Sequence, residues 1–314
     1  MNRGIAKARD NSGPGPRGHA RRGLAYMLLA SALFAVMTNC AYAASLLHPP
    51  VAAAMVSFIR VMVNLILLML PALWRRDVGG LFGDWRPSLW LRGLFGGGAL
   101  FLSFASIQRI GPGESSFLTS SSGLLVAALG PWVVGQRPAF RDWLALTGAM
   151  LGLGLLLQPR MDGGDLTGRV MGLSAAFLSA LAYLMIARAG RSNPPATIVF
   201  YFCLGAVVVH LGVFAWQGFE CPEGWQAWGW SLAAGFCGSL AQSLMTRAYQ
   251  WAPVARVSAV GYAAPVMSMA LGLFLFDKRP DTLGLIGCCV ILISGVALPF
   301  LSRRPRRSGA DPGG

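Results

Sequence analysis

Runs of about twenty apolar residues recur along this chain, and nothing else in the sequence constrains its fold as strongly. A helix needs roughly twenty such residues to cross a ~30 Å hydrocarbon core. One run, VSFIRVMVNLILLML (residues 56–70), is lipid-like throughout except for Arg60 and Asn64. Only 12% of the 314 residues are charged, whereas a soluble domain of this length carries about twice that share. The sequence therefore reads as an all-α polytopic membrane protein.

Ten spans can be drawn, at residues 23–45, 52–73, 88–108, 114–134, 141–157, 168–187, 196–216, 227–247, 254–276 and 282–301. The first is too long for a cleaved signal and is read as a retained helix. The 26 basic residues set the orientation. With the N-terminus inside, twenty fall on the inner face, among them Arg75, Arg76, Arg86 and Arg92 of the second-to-third loop, and five on the outer face. That asymmetry predicts both termini in the cytoplasm. The formal charge of +14 sits in tails and short loops, with no nucleic-acid-reading motif beside it. The six cysteines show no CxxC pair and no zinc spacing, so neither metal nor cofactor is expected.

The chain also repeats itself. At an offset of 142 residues, Gly93, Gly96, Ala99, Leu102 and Gln108 meet Gly235, Gly238, Ala241, Leu244 and Gln250. Further on, Arg137-Pro138 meets Arg279-Pro280. Each half holds five spans, an odd number, so the second half enters the membrane upside down. The expectation is ten transmembrane helices as two inverted five-helix repeats, an arrangement that places substrate near the midplane between the halves. A basic tail (1–22) precedes the first half (23–158), and a second basic tail (302–314) follows the second half (168–301).

Several spans carry polar faces at helical spacing. Arg60 and Asn64 share a face of the second. Gln242 and Thr246 belong to a stripe along the eighth. Thr38 and Tyr42 lie on the first, Ser121 on the fourth and Tyr262 on the ninth. Small polar residues also serve as glue between helices, each worth ~0.6 kcal/mol. Arg60 is the sharper signal. It falls ~12 Å into its span, where a guanidinium costs roughly 2.5–3.5 kcal/mol on the lenient insertion scale. No Asp or Glu stands at helical spacing on its own helix. A fixed charge facing a cavity, there to meet a carboxylate or phosphate, accounts for it; a structural arginine bonded to backbone carbonyls is the competing account. Glu114, which opens the fourth span, either pairs with Arg109 at the rim or carries a coupling proton. His210 reads as a satisfied histidine. An enzyme would call for clustered carboxylates or paired histidines, and neither pattern occurs.

The order of these features resembles the EamA branch of the drug/metabolite transporter superfamily. The resemblance rests on the ten-span repeat, SFIR in the second span, the repeated Arg-Pro turns, Pro265, and LGLIGCCVILISGVAL in the tenth span. It covers residues 23–301 and makes the two halves EamA repeats. It implies an inner-membrane carrier moving small organic solutes by alternating access, without ATP. The cargo class suggested by Arg60 is an amino-acid-like or other carboxylate-bearing solute; a broad drug exporter or lipid-linked flippase is the alternative. The partners implied are a small-molecule substrate and the bilayer, with room left for a homodimer. Two departures stand out. Gln136 and Lys278 occupy positions where the family often has Glu, and Gly123 stands opposite Pro265.

Overall fold

The structure, a computed structural model, describes residues 16–110, 112–158, 165–276 and 282–297. Among these, the regular structure is helical. The segments are α1 (Pro16–Ser45), α2 (Ala53–Trp74), α3 (Pro87–Ile110), α4 (Pro112–Ser120), α5 (Ser122–Val133), α6 (Phe140–Leu157) and α7 (Leu166–Ala189). They continue as α8 (Pro195–Gln217), α9 (Gly224–Trp251), α10 (Val254–Gly261), α11 (Ala263–Phe276) and α12 (Thr282–Val290), which runs into a π-helical segment, Ile291–Ala297. A 3₁₀ turn at Gly79–Leu81 caps the second connection.

Seven helices are long and apolar enough to cross a membrane. Helices α3 and α9 are of spanning length but lie outside that set, being rich in Gly, Ser, Gln and Arg. Polar content is tolerated in them because one face of each packs against neighbouring helices, while apolar residues such as Leu94 and Phe236 face outward. The heaviest interhelical packing joins α1 to α9 and α3 to α7, followed by α3 to α8 and α2 to α9.

Close backbone approach explains Gly93 and Gly97 of α3 and Gly205 of α8. A Cβ on Gly205 would run into the Gly93 carbonyl, so neither position admits a side chain without moving a helix. Helices α6 and α12 meet in the same way, where a Cβ on Gly152 would lie 2.8 Å from the Gly287 carbonyl oxygen.

Two spans expected to be continuous are broken. Helix α4 stops at Ser120 and α5 restarts at Ser122; α10 stops at Gly261 and α11 restarts at Ala263. Both breaks contain the same tight turn, Ser121 N–H donating to Leu118 O at 3.1 Å and Tyr262 N–H to Ala259 O at 3.2 Å. Non-helical backbone at membrane depth is tolerated only where protein covers it or it lines a cavity.

The bundle has a proximal end, where α1 begins, and a distal end, where α1 finishes. At the proximal end the two halves of the chain are bonded together. Arg256 Nε donates to Asp142 Oδ1 at 2.9 Å, Val254 N–H donates to Gln136 Oε1 at 3.0 Å, and Arg191 donates to the Val134 carbonyl at 2.7 Å. Asp142 also accepts from Ala139 N–H at 2.9 Å, holding the start of α6. At the distal end an ion pair joins Arg109 to Asp165. Asp165 also caps α7 through Thr167 N–H and so projects toward the end of α3. The side chain of Glu114 and the stretch Asp277-Lys278-Arg279 lie outside the described residues. So do the basic tails, apart from the start of α1.

Candidate functional cavity

Between the halves lies a cavity of about 350 Å³, walled by α1, α2, α3, α4, α5, α7, α8, α9, α10 and α11. None of its described lining residues is an Asp or Glu. Helix α2 delivers Arg60 to it and α9 delivers Gln242. They face one another because Gly238, one turn before Gln242, leaves room for the guanidinium. A Cβ there would lie 2.9 Å from Arg60 Nε. Arg60 Nη2 reaches Gln242 Oε1 at a long 3.5 Å, while Arg60 Nε and Gln242 Nε2 have no hydrogen-bond partner among the described residues. The guanidinium also stands 5.8 Å from the Phe34 ring centroid, within cation–π range.

A second arginine shares the cavity. Arg92, assigned from the sequence to the cytoplasmic loop, instead belongs to α3 and is 2% exposed. Its basic neighbours Arg75, Arg76 and Arg86 precede α3, whereas Arg92 falls within the helix. Its guanidinium stacks over Phe202 with 4.5 Å to the ring centroid, and its Nε is unpartnered among the described residues.

The remaining sequence-predicted residues divide. Tyr262 lines the cavity and donates to the Ser120 carbonyl at 2.6 Å, bonding one helix break to the other. Gly123 permits this, since a Cβ there would crowd the Tyr262 ring at 3.1 Å. Ser121 sits in its break between two lining serines but turns its hydroxyl to Leu118 O at 2.6 Å. Thr246 is fully buried and bonds Gln242 O at 2.8 Å, holding the helix beneath that side chain. Asn64 is buried one turn beyond Arg60, outside the cavity wall, with Nδ2 unpartnered among the described residues. Thr38 bonds the Phe34 carbonyl at 2.9 Å and, like Tyr42, is not part of the wall. His210 is buried with Nδ1 2.7 Å from Ala206 O, a satisfied histidine away from the cavity.

Aromatic residues supply what sequence reasoning missed. Tyr183 and Tyr249 stack at 5.0 Å with 13° between planes, and both face the cavity. The Tyr249 hydroxyl meets Ser258 Oγ at 3.0 Å. In an apolar helix such tyrosines look like packing residues, and only their convergence distinguishes them. No group of three or more His, Cys, Asp or Glu able to hold a metal occurs among the described residues.

A helical membrane protein whose two halves enclose a polar, aromatic-walled cavity has the form of a small-molecule carrier. The chain belongs to the EamA-like transporter family, whose pattern matches residues 21–158 and again 166–298. It is 22% identical over 224 residues to a Helicobacter pylori (strain J99) protein named "Uncharacterized transporter", covering 69% of this chain and 75% of that one. It is 25% identical over 178 residues to a Vibrio cholerae protein named "Riboflavin transporter", covering 57% of this chain and 56% of that one. A solved crystal structure shares the fold, with a TM-score of 0.76 and 19% identity over 91% of this chain and 99% of the other.

Proposed function

We propose that this transporter is a secondary carrier for a small polar or amphipathic metabolite bearing a carboxylate or related anion, and that Arg60 holds that anion. The observation carrying the proposal is Arg60 itself, a guanidinium on the cavity wall that, among the described residues, has no partner at Nε and a long 3.5 Å bond to Gln242. A planar guanidinium matches a carboxylate or phosphate in two-bond geometry. Gln242 adds a free amide donor, Tyr262 a polar edge, and the aromatic wall accepts an apolar body. Asn64 and Thr246 support Arg60 and Gln242 from behind, while Thr38, Tyr42 and Ser121 serve α1 and the α4–α5 break. For Glu114 we retain the role of a coupling carboxylate at the distal rim.

The transport cycle would be alternating access between ten spans arranged as two inverted repeats. Counting each broken helix as one span, and α12 with its π segment as the tenth, gives that number. Exchanging the halves maps α1 on α7, α2 on α8 and α3 on α9. Under that exchange the α1–α9 contact becomes α7–α3, and α2–α9 becomes α8–α3, and these are the four heaviest contacts. The helix breaks lie at Ser121 and Tyr262, one residue short of the 142-residue offset. The excess of arginine at the proximal end supports an inner-membrane protein with both termini cytoplasmic. Riboflavin, the cargo in the name of the Vibrio cholerae relative, has no carboxylate or phosphate and would leave Arg60 unused. A broad drug or flippase cavity would leave it unused as well.

Untargeted metabolomics on a bacterial host tests the reading, comparing wild type, Arg60→Ala and empty vector at matched membrane abundance. One anionic metabolite should redistribute across the membrane with wild type alone. Equal redistribution by Arg60→Ala would make the arginine structural and move the site elsewhere.

A further inference from the structure

We infer that the cargo carries two anionic groups, one at each end of a small body, and that Arg92 reads the second. This rests on the role given to Arg60 above and extends it.

The two guanidiniums occupy corresponding places. Gly96 of α3 and Gly238 of α9 are equivalent under the 142-residue offset. Each glycine makes room for one arginine: a Cβ on Gly238 would press on Arg60 Nε, and a Cβ on Gly96 would collide with Arg92 Nη1. The residue corresponding to Arg60 in the second half is Phe202. Phe202 is also the ring that carries the Arg92 guanidinium, at 4.5 Å. The second half thus lacks a cation where the first has one, and α3 supplies it from the turn before Gly96. The result is a cation on the α2–α9 seam and a cation on the α3–α8 seam, both facing one cavity.

Charge balance then specifies the ligand. Arg92 is 2% exposed, its Nε has no hydrogen-bond partner among the described residues, and no described carboxylate lines the cavity. A buried cation without a counter-charge is costly, and two of them facing one space repel. A single carboxylate balances one seam and leaves the other. A phosphate monoester places both its charges at one end. A dicarboxylate of modest length balances both, in a cavity that the stacked Tyr183 and Tyr249 rings also line.

The test is thermal-shift titration of the purified full chain in detergent, with three probes at equal ionic strength. Adipate has charges at both ends, hexanoate one charge, and butyl phosphate two charges at one end. Adipate should bind wild type about tenfold or more tightly than hexanoate, the scale of one added hydrogen-bonded ion contact. Arg92→Gln should erase that advantage, and Arg92→Lys should restore part of it. Unfolding temperatures without ligand identify any variant that is merely misfolded, and Arg92→Lys then carries the comparison. Adipate and hexanoate binding alike, butyl phosphate equalling adipate, or Arg92→Gln keeping the adipate advantage would each overturn the inference while leaving the role of Arg60 intact. If no probe binds and Arg60→Gln behaves as wild type, both readings fall together.

Discussion

The halves of the molecule are joined by an ion pair at each end, and the two pairs differ in kind. Proximal Asp142 and Arg256 are nearly enclosed, with side chains 6% and 13% exposed and further bonds around them. Distal Arg109 and Asp165 stand in the open, at 48% and 33%. An enclosed pair is expensive to break because the orphaned partner stays buried; an exposed pair hands its charges back to water. The proximal end is therefore latched and the distal end only fastened. Gly23 tightens the latch, since a Cβ there would lie 2.8 Å from that of Ala252. Under the alternating-access reading proposed above, this conformation would be the one closed at the proximal end.

The largest effect should come from unlatching. Arg256→Ala leaves Asp142 enclosed and unpaired, at a cost of about 3–5 kcal/mol. The double variant with Asp142→Ala should lose less than the sum of the single losses, a coupling that thermal unfolding in detergent will measure. Gly205→Ala comes next. Its methyl meets the Gly93 backbone, which cannot move without separating α3 from α8, and overpacking of this kind costs about 1–3 kcal/mol. Unfolding temperature again reads it, and an unchanged value would mean that the α3–α8 seam is slack.

Arg109→Ala should have the smallest effect, with little change in stability but faster modification of distal positions by a water-soluble reagent. Acid should act at the same place. The Arg109 hydrogen bond, opposed in part by burial, holds the Asp165 carboxyl below the usual carboxylate range. A lowered folded value gives stabilisation that is complete above the ordinary carboxylate value of about 4 and is lost as pH falls from there through the lower folded value. Asp84, held down first by Ser192 and also by Asn193 and Arg86, behaves with the same sign on the proximal loops. Labelling rates measured from pH 6 to pH 3 should rise at the distal end of wild type and stay flat in Arg109→Ala.

The membrane character of the fold was legible because hydrophobic length is a local property that any window of the chain displays. Arg60 and Gln242 were legible for a related reason, since a charge or amide deep in an apolar run has few explanations. Arg92 was not, because proximity to other arginines made it look like a loop residue. Tyr183 and Tyr249 were hidden in another way: their importance lies in meeting across two helices 66 residues apart in sequence. The break at Tyr262 has a local cause, because Pro265 has no N–H to bond Gly261 O four residues back. The break at Ser121 has no such proline, and the Tyr262 hydrogen bond to Ser120 O that accompanies it is tertiary, so no local pattern announces it.

That bond has a mechanical consequence. The carbonyl freed at Ser120 by one interrupted helix is taken up by the hydroxyl of Tyr262, which stands at the interruption of the other. Each gap is thereby one end of a short tether, fixed at 2.6 Å, across the middle of the molecule. A bend at one gap pulls on the other, so the two kinked helices flex as a linked pair, like the arms of a pair of tongs sharing a pin.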